Sequence, residues 1–107
     1  MKITHFEYGK HIESGGSPKY MRIWITLETM DEDLDYKIVI NDGIEYTHEI
    51  REGLLAGIKA SNNLIRKVKI TVTKLETHPI DTDSKIVRTR TEAALLHGIA
   101  LHLNNIE

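Results

Sequence analysis

Hydrophobic and polar positions alternate along residues 20–28: Met21, Ile23, Ile25 and Leu27 fall on one side, Tyr20, Arg22, Trp24, Thr26 and Glu28 on the other. A period of two with one polar side predicts a strand with one buried face. Val68, Ile70 and Val72 alternate in the same way with Lys67, Lys69, Thr71 and Thr73, and predict a second such strand. Two shorter stretches, 3–8 with Phe6 and Tyr8 on one face and Tyr36–Ile40, complete a set of four strands. Ser14-Gly15-Gly16-Ser17-Pro18 is expected to be a loop that continues neither a strand nor a helix. The acidic run Asp31–Asp35 predicts a solvated turn, and Asn41-Asp42-Gly43 a strand end.

From Glu45 the period changes to four. Tyr46, Ile50, Leu54 and Ile58 form one helical stripe, with Glu45, Glu49 and Glu52 early, where negative charge suits the helix dipole. Gly53 and Gly57, also four apart, are expected to let this helix approach the sheet closely. A second helix is predicted over about 84–103, with Val87, Ala94, Gly98 and Leu101 as its apolar side, widened by Leu95, Ile99 and Leu103. The order is β-β-β-α-β-α. Each strand needs only one covered face, so the expected architecture is an α+β two-layer sandwich: a four-stranded sheet with both helices on one face. The other face would carry Arg22, Trp24, Thr26, Lys67, Lys69 and Thr71.

The length of 107 residues fits a single domain, 1–107, with enough core to fold without staples. The chain has no cysteine, no apolar leader pattern at residues 1–7 and no stretch long enough to cross a membrane, so a soluble cytoplasmic protein without a membrane partner is expected. Net charge is −2, but residues 59–90 hold eight basic residues against three acidic ones. A basic segment beside an acidic N-terminal half can orient a molecule on an anionic partner.

Between the last strand and the last helix stands His78-Pro79-Ile80-Asp81-Thr82-Asp83-Ser84. Together with Glu13-Ser14-Gly15-Gly16 before Lys19-Tyr20-Met21-Arg22-Ile23, and Gly43-Ile44-Glu45-Tyr46 before Ile50 and Gly53, it gives the chain a resemblance to domain IV of elongation factor G. The corner is similar to that family's His-x-Val-Asp-Ser motif, followed here by Ala93-Ala94. The resemblance covers nearly the whole chain. It implies the ribosomal protein S5 domain 2-like fold, with a left-handed βαβ crossover between the third and fourth strands, and a tip that touches RNA near the decoding centre. The contact residues it implies are Gly15, Gly16, Ser17, Lys19, His78, Asp81 and Lys85, with Asp81 more readily capping the second helix or tying the corner together than making a contact. Ser17-Pro18 replaces the family's Gly-Gln, and the proline that opens the family's first helix is missing.

The sequence holds no Gly-x-x-x-x-Gly-Lys-Ser/Thr loop, so no nucleotide is expected. His97 and His102 are five apart, on mismatched helix faces; His48 and Glu52 are better spaced but lack a third ligand, so neither metal nor cofactor is expected. Asp81 and Asp83 beside His78 read as helix capping rather than as a catalytic pair. The resulting expectation is a non-enzymatic module associated with the ribosome or RNA, the alternative being a protein-interaction module that kept the fold without binding RNA. On the open sheet face, Arg22, Trp24, Lys67 and Lys69 are the candidate contacts, Trp24 either stacking on a base or anchoring a protein partner.

Overall fold

A computed structural model describes residues 2–9, 11–14, 17–62, 65–80 and 82–104, with the side chains of 11–14 and 17–19 outside that description. The chain order is β1 (Ile3–Tyr8), β2 (His11–Ser14), β3 (Ser17–Thr29), β4 (Tyr36–Ile40), α1 (Thr47–Ala60), β5 (Val68–Thr77) and α2 (Ser84–Leu103). The sheet runs β1-β3-β5-β4, with β2 paired to the beginning of β3. Its β1–β3 and β3–β5 ladders are antiparallel, whereas β4 and β5 are parallel and joined through α1.

The expected α+β two-layer sandwich is the observed one. Met21, Ile23, Ile25 and Leu27 of β3 and Val68, Ile70 and Val72 of β5 are almost fully buried, and they meet Ile50 and Leu54 of α1 and Val87, Ala94, Leu95 and Ile99 of α2. Burying side chains of this size contributes about 1.5–3 kcal/mol each, so this single layer interface dominates the stability of the fold.

Several local expectations are corrected. Ser17 and Pro18 belong to β3, which is thirteen residues long, and β2 pairs with it so that Ser14 opposes Ser17. Proline is tolerated there because a strand near its beginning can spare a backbone donor. Of the expected loop, Gly15 and Gly16 lie outside the described residues. In β5 the alternation does not run straight through: a bulge at Trp24/Ile25 pairs Trp24 with Lys74 but Ile25 with Val72, leaving Thr73 as an extra residue. The phase therefore flips, so that Leu75 joins the core while Lys74 and Glu76 face the open side.

The glycine pair of α1 serves a different contact from the one expected. An ideal Cβ on Gly53 would lie 2.6 Å from the Arg88 carbonyl oxygen, and one on Gly57 3.0 Å from Leu95. The glycines thus let α1 approach α2, not the sheet. The two helices run parallel, since 53 meets 88–92 and 57 meets 92–95. In α2 the buried side is Val87, Thr91, Ala94, Leu95, Gly98, Ile99 and His102, while Leu101 and Leu103 are exposed. His102 is kept inside by Thr4, whose Oγ1 lies 2.8 Å from Nδ1.

Candidate functional site: the corner between β5 and α2

Parallel helices place both N-termini at one end of the molecule, the end where β5 stops. The corner there is tied by a short set of hydrogen bonds. The backbone N–H of His78 donates to Thr82 Oγ1 (2.8 Å), and the Thr82 N–H donates back to the His78 carbonyl (3.1 Å). Thr82 Oγ1 in turn donates to the carbonyl of Tyr20 in β3 (2.5 Å). Thr82 is buried, whereas His78, Pro79 and Ile80 are exposed, Ile80 to 85%. The Ile80 N–H donates to His78 Nδ1 at 3.2 Å. With Nδ1 accepting, Nε2 is the donor nitrogen of the ring.

Three carboxylates at this end, Asp83, Glu49 and Glu76, are engaged by the protein itself. Asp83 is the N-cap of α2, its Oδ1 accepting from the Ile86 N–H at 2.8 Å. The capping expected at this acidic helix start is made by Asp83, while Asp81 lies outside the described residues. Glu49, in the first turn of α1, is held below the usual carboxylate range chiefly by its own backbone N–H and then by the Ser84 hydroxyl. One carboxylate therefore serves the first turns of both helices. Glu76 accepts the Tyr20 hydroxyl, and this bond, followed by burial, pushes the Tyr20 phenol upward. Lys85, the second residue of α2, is exposed beside the corner. The backbone of Ser17 and Lys19 leads into Tyr20, so that stretch of β3 lies at the same end.

The open sheet face forms a second cluster. Trp24 sits between two cations, with Lys74 Nζ 4.7 Å and the Arg22 guanidinium 5.3 Å from its ring. Arg22 also binds Glu7 at 2.8 Å, which raises its already high pKa. An open recess of 460 Å³ beside the ring is lined by His5, Phe6, Glu7, Trp24, Ile25, Thr26 and Thr73. Lys69 faces this side opposite Glu28, but Lys67 precedes β5 in a left-handed conformation (φ 52°). Ten strand residues separate Lys67 from His78, about 35 Å along β5, so Lys67 stands apart from the corner, whereas Arg22, opposite Glu76, lies within a few residues of it. Lys74 was missed because its outward position depends on the bulge.

The remaining histidines whose side chains are described are occupied separately: His5 with Thr26 (2.8 Å), His48 with Glu52 (3.3 Å), and His97 against the rings of Tyr8 and Phe6 (5.3 and 6.1 Å). Among the described residues, no helix is long and apolar enough to cross a membrane.

Neither protein-family models nor curated proteins give a match to this chain. Among solved structures, the fold is similar to part of a crystal structure of a protein from Thermus thermophilus, with a TM-score of 0.70 and 19% sequence identity. The match covers 95% of this chain and 16% of that one, so this chain spans about one sixth of its length. At that identity the likeness defines the fold class alone.

Proposed function

We propose that this protein is a non-enzymatic module that associates with RNA, in the setting of the ribosome, through the corner at His78. The observation that carries this reading is the way the corner is built. Thr82 fastens it to β3 from below, Asp83 opens α2 beside it, and His78 and Ile80 are left exposed at its apex. A preorganised corner loses little conformational freedom on binding. An imidazole N–H can donate to phosphate or stack on a base, and Lys85 adds a cation beside it. The resemblance to domain IV of elongation factor G supports the same end of the molecule as the contact surface.

Co-sedimentation with ribosomes across a salt series tests this. Binding should weaken as salt rises, and should fall on His78→Ala and on Lys85→Glu. Lys67→Glu, at the far end of β5, should leave it unchanged. Association that ignores salt and survives the first two changes would remove the proposal. The Trp24 recess favours a second reading, a protein-binding module, in which Trp24→Ala abolishes capture of a single protein and ribosomes are absent from the captured material.

A further inference from the structure

The edge of β4 is built to receive another strand. The Val68 N–H donates to the Asp35 carbonyl and the Asn41 N–H donates to Val72, so the backbone groups of 35, 37, 39 and 41 turn toward β5. By the alternation of a parallel ladder, those of Tyr36, Ile38 and Ile40 turn the other way. No second strand meets them among the described residues. Two of the usual protections of an edge are missing, since residues 36–40 contain neither proline nor a bulge. The lysine there, Lys37, is drawn to Glu32 at 3.7 Å.

We propose that this edge binds an extended basic peptide, which adds to the sheet beside β4. Main-chain hydrogen bonds to Tyr36, Ile38 and Ile40 would hold it, and its alternate apolar side chains would continue the core layer. Leu34, Tyr36 and, on the flank of α1 away from α2, Leu55 are exposed and supply an apolar rim. The charge at the two ends of the strand selects the occupant. Asp31, Glu32, Asp33 and Asp35 precede β4, and Asp42 and Glu45 follow it. Arg51 and Lys59 stand four residues either side of Leu55 on that flank of α1, and with Lys37 they make three cations against these six carboxylates, so the edge keeps an acidic balance. A second copy of the chain fits poorly. Antiparallel pairing centred on Ile38 would bring Asp31 opposite Glu45 and set Asp42 between Asp33 and Asp35 at both ends, which like charges oppose.

A soluble peptide of alternating lysine and valine is the probe, read by amide hydrogen exchange and by titration. At saturation the Ile38 and Ile40 amides should exchange at least about tenfold more slowly, while those of Lys37 and Val39, already bonded to β5, change little. A peptide N-methylated at alternate residues, and one with glutamate for lysine, should each bind about tenfold more weakly or less. The double variant Asp33→Lys, Asp35→Lys lies on exposed positions and should fold normally yet lose the peptide. Equal binding of the N-methylated peptide would reduce the contact to surface charge and overturn the proposal, as would no binding at all. So would Ile38 and Ile40 amides already protected in a free protein that scatters light as a dimer, which would make a second copy the occupant.

Discussion

Thr82 Oγ1 donates to the carbonyl of Tyr20 while accepting the N–H of His78. One buried hydroxyl thus joins β3 to the last turn before α2. Thr82→Val keeps the shape and removes both bonds, leaving a carbonyl and an amide without their partner. The expected loss is about 1–3 kcal/mol in urea unfolding, with faster amide exchange at His78. Unchanged exchange would mean that the corner is fixed by something else.

The glycines between the helices invert the usual ranking of helix formers. Glycine to alanine in a helix normally stabilises by about 1 kcal/mol. At Gly53 the added methyl meets the Arg88 backbone, which cannot swing aside, so Gly53→Ala should destabilise by about 1–3 kcal/mol in thermal or urea unfolding. At Gly98 the methyl runs into the end of the Phe6 ring, so Gly98→Ala should be costly alone and partly rescued by Phe6→Leu. Failure of that rescue would place the strain elsewhere.

Glu49 gives the protein a specific acid sensitivity. Its folded pKa lies below the ordinary carboxylate value because its backbone N–H and Ser84 favour the charged form. A depressed pKa adds stability that is present above the unfolded pKa and is lost as pH falls through the folded one. Glu49→Gln should therefore be less stable than the parent at neutral pH, and the two should converge once pH drops below the carboxylate range. A gap that persists in acid would contradict this.

The strands with strict alternation and the Ile50–Leu54 stripe of α1 were legible in the sequence because one face of each is dry, whereas Tyr46, expected on the same stripe, is the left-handed residue just before the helix (φ 60°). What the pattern hid has physical causes. The bulge at Thr73 inserts one residue and reverses the phase, so Leu75 moves inward and Lys74 comes beside Trp24. In α2, Thr91 and His102 are buried while Leu101 and Leu103 are exposed, so side-chain polarity misstates the dry side. β2 is short and gains its partner only because β3 extends back to Ser17. The His78 corner was visible as a motif, but its anchoring to Tyr20 spans 62 positions in sequence and appears only in the fold.

Whether the corner is the RNA contact is decided by amide chemical-shift mapping during addition of small-subunit ribosomal RNA. The largest changes should fall at His78, Ile80 and Lys85 and in the first residues of β3, and His78→Ala should diminish them. Changes confined to the open face around Trp24, or none at saturating RNA, would contradict a contact at the corner.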